Sequence, residues 1–303
     1  MIIDWMRYRY IYFAISITFI VLSIYALVAW GPKLGVDFTG GSIIEYQVDS
    51  EISTEDLSNR LTKEGIQITS IQETQGNKYL IKLPPVQGEE KQKIADVMED
   101  ITAGGVMELR FENIGPSIGP ELVRKTVYAI VIAASFILLW VAYQFKSIKF
   151  GASAILAMFH DSFILIGAFA ALGHFMGAEI DFLFVTALLT TLSFSVHDTI
   201  VVYDRIRESQ KNHGGELYDL ANLAITETMV RSLNNSFTII FMLFALILMG
   251  GTTVKWFAMG LFIGTILGTY SSPFVAVPLL VTFDKLEAKI KSKNLRLKRW
   301  KKK

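Results

Sequence analysis

The sequence predicts an α-helical polytopic membrane protein: six transmembrane helices, with one ferredoxin-like α+β extracytoplasmic domain between the first two. Three observations predict it. Six uncharged or nearly uncharged runs have about the ~20-residue helical length that crosses a ~30 Å hydrocarbon core. Lys and Arg collect in alternate connecting segments. The long stretch after the first run alternates between strand-like and helix-like patterns. The 303 residues are 52% hydrophobic with a formal net charge of +1. That balance is uneven: residues 31–125 hold 16 acidic and 10 basic side chains, whereas residues 284–303 hold ten Lys/Arg against two acids.

Residues 1–30 read as the first membrane segment. Arg7 and Arg9 precede an apolar run over residues 10–30. The run exceeds the ~7–15-residue apolar core of a cleaved signal peptide, so it is read as a retained span. Residues 31–125 read as the extracytoplasmic domain. Residues 42–48 alternate apolar and polar, a strand signal. Thr54 is placed to cap a helix through Thr62, with Glu55 and Asp56 in its first turn. Residues 67–73 alternate again, Gly76-Asn77 marks a turn, and residues 78–83 alternate a third time. Residues 89–102 set Ile94, Val97, Met98 and Ile101 on one helical face. Gly104-Gly105 ends that helix, and residues 106–111 give a fourth strand. The order βαββαβ is the ferredoxin-like unit. Such a unit covers one sheet face with two helices and leaves the other open to a partner or to water.

Residues 126–283 supply the remaining spans, at 126–145, 150–176, 182–203, 233–254 and 256–283. Residues 217–230 read as an amphipathic helix at the membrane surface, through Leu217, Leu220, Leu223 and Ala224, or as an early start to the fifth span. Residues 284–303 form a basic tail. Arg7 and Arg9, Lys146 and Lys149, the segment with Arg205, Arg207, Lys211 and Arg231, and the tail all fall on one side of a six-span arrangement. That places both termini in the cytoplasm and residues 31–125 outside.

An ionisable side chain in hydrocarbon costs ~2.5–3.5 kcal/mol on insertion scales and so calls for a role. Two spans hold adjacent His-Asp pairs, His160-Asp161 and His197-Asp198. Neighbouring helical positions point about 100° apart, so each member is expected to look to another helix rather than to its neighbour. On a 1.5 Å rise, Asp198 lies ~26 Å from Asp181 and Arg231 ~29 Å from Gly250, which puts the two at similar depth and allows an Asp–Arg pair. Asn234, Asn235 and Ser236, with Thr238, extend the polar face of the fifth span. Together these residues suit a hydrated ion path, or else polar glue between helices. Gly260, Gly264, Gly268 and Ser272 make a small-residue stripe for close helix packing. Pro273 and Pro278 loosen the same span.

Other chemistry finds no support. The chain has no cysteine, which excludes a disulfide framework, a thiolate metal site and a Cys nucleophile. The four His have no zinc-hydrolase spacing, and there is no P-loop. No cofactor is implied. The basic tail beside a span reads as a topology anchor or a membrane-lipid contact, not a nucleic-acid site.

Longer motifs then carry a resemblance. Gly35-Val-Asp-Phe-Thr-Gly-Gly41 resembles the glycine motif of the SecD/SecF family, with Asp37, Gly40 and Gly41 at its motif positions. Gly115-Pro-Ser-Ile-Gly-Pro-Glu-Leu122 is similar to a second family segment. Phe159-His-Asp161, the run from Ser195 to Glu208, and Arg231-Ser-Leu-Asn-Asn-Ser-Phe-Thr238 resemble SecF. The resemblance implies one half of a resistance-nodulation-division-like membrane unit, completed by SecD and placed beside the SecYEG translocon in the bacterial cytoplasmic (inner) membrane. It implies use of the proton or sodium motive force to promote late steps of preprotein export, with Asp198 and Arg231 as ion-coupling residues and no enzymatic activity. A small-molecule or lipid exporter of the same superfamily and a scaffold without ion coupling are the alternatives.

Overall fold

The computed structural model describes residues 3–49, 51–74, 76–102, 105–115 and 118–300. Gly104, Pro116, Ser117 and the last three lysines, parts of motifs named above, lie outside the described residues. A 3-10 turn, Trp5–Tyr8, leads into α1, Arg9–Ala29, and a one-turn α2, Val36–Thr39, follows it. The α+β unit is β1 Gly41–Val48, α3 Thr54–Lys63, β2 Ser70–Thr74, β3 Lys78–Leu83, α4 Glu89–Thr102 and β4 Val106–Ile114. The rest is helical: α5 Ile118–Phe145, α6 Ile148–Met176, α7 Phe182–His213, α8 Leu217–Met249 and α9 Thr252–Ser271, then a π-helical turn, Ser272–Ala276, and α10 Val277–Trp300. Among the described residues six helices are long and apolar enough to cross a membrane.

The sheet is antiparallel in the order β2-β3-β1-β4. The alternation of β1 and β3 sends Ile44, Tyr46, Tyr79, Ile81 and Leu83 to one face, against Leu57 and Leu61 of α3 and Ile94 and Met98 of α4. Ser53, not Thr54, is the N-cap of α3, its hydroxyl accepting from Glu55 N–H at 3.3 Å. Both residues suit the position chemically; the extended backbone at Ser53 decides it. The Tyr79 hydroxyl donates to Ile52 O at 2.7 Å and accepts from Ile52 N–H at 2.8 Å, pinning the link before α3. Tyr79→Phe leaves both groups of Ile52 without that partner and is expected to cost about 1–3 kcal/mol. Thermal unfolding of the two proteins side by side measures it.

The second sheet face is covered in part. Leu80 and Lys82 on that face are buried, and Lys82 is ion-paired to Glu179 in the turn between α6 and α7. The domain is thus seated on the membrane unit. α5 begins at Ile118, inside the segment assigned by sequence to the outer domain.

Small residues let α6, α7 and the α9–α10 pair approach closely. Ala154, Ala157, Ala221, Ala224 and Ala276 are buried beside Met158, Val196, Tyr203 and Leu280. α1, α5 and the second half of α8 lie on the outside of the bundle, where Ile17, Leu22, Phe136, Trp140, Phe241 and Met242 are exposed. Residues 217–230 are not a separate surface helix. They are the first turns of α8, with Leu220, Ala221, Ala224 and Ile225 buried in the bundle. The N-terminal turn fits against them: Asn222 accepts from Met6 N–H at 2.8 Å, and Trp5 Nε1 donates to Thr226 at 3.0 Å. The apolar stripe is therefore satisfied by protein rather than by the membrane surface. Pro273 falls within the π-helical turn and Pro278 just after it, so the break in the sixth span is a widened turn and the helix runs on.

Candidate functional site

Three polar constellations lie in or against the bundle. The first is on the face where α7 and α8 meet. Asp198 is half-buried and accepts a hydrogen bond from Ser232 Oγ at 2.8 Å. Ser232 adjoins Arg231 in sequence, so Asp198 and Arg231 stand at the same level. They form no ion pair, and Arg231 is exposed, as are His197, Asn234, Asn235 and Thr238. The predicted Asp–Arg contact is therefore absent because a hydroxyl one position on takes the carboxylate while the guanidinium faces outward. Thr238 turns its hydroxyl back to Asn234 O at 2.9 Å. Behind Asp198, Thr269 donates to Ser236 Oγ at 2.6 Å. A pocket of about 20 Å³ lies between His197, Asp198, Asn235, Ser236 and Thr269, room for a single water.

The second constellation is enclosed. Asp161 accepts from Ser195 Oγ of α7 at 2.6 Å and from Ser271 Oγ of α9 at 2.5 Å, and lies 2.9 Å from His160 Nδ1. The adjacent His and Asp do meet, contrary to the expectation from helical angles: the imidazole swings across the gap between neighbouring positions. Ser272 bonds Thr199 Oγ1 at 2.9 Å and Ser195 O at 3.2 Å, where the π-helical turn begins.

The third is the junction between the domain and the spans. Gly35 N–H donates to Ile180 O at 2.9 Å and Ile180 N–H to Lys33 O at 2.7 Å, a two-bond strap. Asp37 accepts from Phe182 N–H at 2.8 Å and Asp181 from Phe184 N–H at 2.7 Å, so two carboxylates satisfy the start of α7. Gly40 and Gly41 turn the chain into β1 with φ of 76° and 146°, and a Cβ on Gly41 would lie 2.7 Å from Leu83 O. A Cβ on Gly119, in the second motif, would lie 2.5 Å from Phe38 O. The two motifs thus interlock. A cavity of about 100 Å³ between Asp37, Lys82, Arg110, Glu179 and Asp181 marks the seam.

Burial pushes the Asp181 carboxyl above its ordinary value, against the hydrogen bond from Phe184, and Asp37 adds to the rise. A carboxyl raised in this way holds its proton longer in the folded than in the unfolded chain. The fold therefore loses stability as pH rises from the ordinary Asp range through the raised value. Asp181→Asn keeps a capping side chain and removes that loss. Its thermal stability is expected to vary less with pH across this window and to exceed wild type at neutral pH. Parallel pH profiles for the two proteins would refute this.

Gly260, Gly264 and Gly268 line α9 against α7. A Cβ on each would lie 3.2 Å from Ala187 Cβ, 2.1 Å from Thr191 Cγ2 and 3.1 Å from Ser195 Cα, respectively. The helix that uses the stripe belongs to this chain. Sequence reading missed Ser195, Ser232, Ser271 and Thr269. Hydroxyls in membrane helices commonly bond their own i−4 carbonyl, as Thr186 and Thr190 do, so their sequence gives no sign of which ones reach across.

Six spans with carboxylates at their crossings, and a ferredoxin-like domain strapped to one end, define a multi-pass membrane protein with a seated α+β domain. The comparisons give the particular family. Residues 93–286 match the family model for the protein export membrane protein SecD/SecF, C-terminal, and residues 25–52 match the SecD/SecF GG motif. The chain belongs to the SecF group of this family. It is 39% identical over 299 residues to the protein translocase subunit SecF of Thermobaculum terrenum, covering 93% of this chain and 94% of that one. It is 34% identical over 263 residues to the protein translocase subunit SecDF of Thermus thermophilus, covering 84% of this chain and 35% of that one. The crystal structure of SecDF from Thermus thermophilus, described as a translocon-associated membrane protein, superposes with a TM-score of 0.83 at 31% identity, covering 94% of this chain. This chain spans 39% of that SecDF chain.

Proposed function

We propose that this chain works with SecD as an ion-gradient-driven unit that promotes translocation and release of preproteins through SecYEG across the bacterial cytoplasmic membrane, both termini lying in the cytoplasm. The observation that carries the reading is the open face of α7 and α8. Asp198 is half-buried there among exposed Arg231, His197, Asn234 and Asn235. Facing lipid, ionised groups of this kind cost ~2.5–3.5 kcal/mol each; facing a second helical bundle, they line a shared polar seam. The fused SecDF relative supports SecD as the owner of that second bundle. A carboxylate at the seam, held by one hydroxyl and with room for one water beside it, can take up and release an ion as its surroundings change. Preproteins and the lipids around the basic tail complete the partners.

The test is release of an exported protein from vesicles, with and without a proton or sodium gradient, for wild type and Asp198→Asn at equal levels of both subunits. Gradient-stimulated release by wild type alone supports the reading. A scaffold role is the second reading, favoured by the Ser232–Asp198 hydrogen bond, which ties α7 to α8. It predicts equal stimulation in both proteins.

A further inference from the structure

We propose that His160 and Asp161 form a second protonation site, enclosed within this chain and separate from the open face around Asp198. Both side chains are more than nine-tenths buried. Asp161 has three hydrogen-bond partners, from α6, α7 and α9. His160 spends Nδ1 on Asp161, and its Nε2 is buried without any partner. With Nδ1–H donating to a carboxylate, the neutral ring presents a lone pair at Nε2. A proton arriving there makes an imidazolium beside the carboxylate, and the pair goes from one negative charge to none.

The charged and titratable groups on the helices packed around this level include His197, Asp198 and Tyr203 on α7, Tyr12 on α1 and Tyr270 on α9. None is a hydrogen-bond partner of His160 or Asp161; Tyr270 donates to Tyr12 O at 3.0 Å. At the far end of α6, Lys149 is paired with Asp284 and Glu287 of α10.

Loading changes what the site demands. Unloaded, Asp161 draws Ser195 and Ser271 inward. Loaded, its hold on them weakens and Nε2–H requires an acceptor. Ser195 and Ser271 sit where α7 meets the π-helical turn, and Ser195 is one helical turn before Asp198. The proton state of the site therefore biases the packing of the helix that carries Asp198. The site itself does not depend on the export reading.

The test is infrared difference spectroscopy of the full chain in lipid nanodiscs as pH is stepped. Wild type is expected to give, among the signals of its other carboxylates and imidazoles, a reversible component that is missing from Asp161→Asn. Ser271→Ala removes one donor to the carboxylate and is expected to shift the frequency of the pH-dependent carboxylate component. This variant keeps the test decisive if Asp161→Asn fails to fold. Asp198→Asn is expected to leave the signal in place. Spectra of wild type and Asp161→Asn that match at every pH, a pH-dependent component left unchanged by Ser271→Ala, or loss of that component in Asp198→Asn would each overturn the proposal. Loss of gradient-driven release in Asp198→Asn with this signal intact separates the two sites.

Discussion

Asp198→Asn is expected to abolish the whole gradient-dependent increment of export while leaving the protein folded and assembled with its partner. Asn has the same shape and keeps an oxygen that accepts from Ser232 Oγ, so the contact of α7 with α8 at 2.8 Å survives. What it loses is the charge and the ability to bind and release an ion. An exposed-to-half-buried isosteric change of this kind costs about 0.5 kcal/mol or less in stability, so equal thermal melts with unequal release would assign the loss to ion coupling. Ser232→Ala provides the converse. It removes the hydrogen bond but keeps the carboxylate, and is expected to shift the pH dependence of stimulated release without eliminating it. Release by Asp198→Asn at the wild-type level would make the residue a structural tie.

Gly264→Leu is expected to prevent the membrane unit from folding. Between apolar helices in lipid, close packing is the main attraction, and small residues are what allow it. At Gly264 even a methyl group would overlap Thr191, whose Cγ2 is 2.1 Å and Cβ 2.6 Å from the position it would take. Overpacking costs about 1–3 kcal/mol where neighbours can give; here α9 would have to part from α7 along the stripe that also contains Gly260 and Gly268. The expected result is loss of the monodisperse peak after detergent extraction. Gly264→Ala is expected to be milder but still destabilising, and Thr191→Gly in the same chain to restore stability by vacating the overlapped volume. A Gly264→Leu protein that melts at the wild-type temperature would refute this packing.

Much of the architecture was legible because it rests on periodicity. The six apolar runs and the alternation of β1 and β3 report burial directly, and Glu89–Thr102 was read to the residue. The continuity of α8 was less legible. No Gly or Pro separates Leu217 from Met249, yet a change from amphipathic to uniformly apolar character suggested two elements. The sites were legible as residue types and not as contacts. Asp198 and Arg231 stand out because charge is rare in a span, but which hydroxyl meets Asp198 depends on helix rotation, which no single helix encodes. The His160–Asp161 contact depends on side-chain torsion. The strap of residues 33–35 onto Ile180 is built from backbone groups, which carry no side-chain signature at all.

That strap bears on how the protein is made. Asp37 and the Phe182 N–H it caps are 145 residues apart in sequence, and two spans, α5 and α6, must be threaded between them. While the α+β domain emerges after α1, its seat has not been synthesised. The seat exists only once α5 and α6 have crossed and the turn at residues 177–181 has reached the same side of the membrane. A chain with one of those spans inverted or skipped would strand Asp37 and α7 on opposite sides, leaving Lys82 unpaired and the helix start bare. The junction therefore closes only in a correctly threaded chain, and its contacts report that threading is complete.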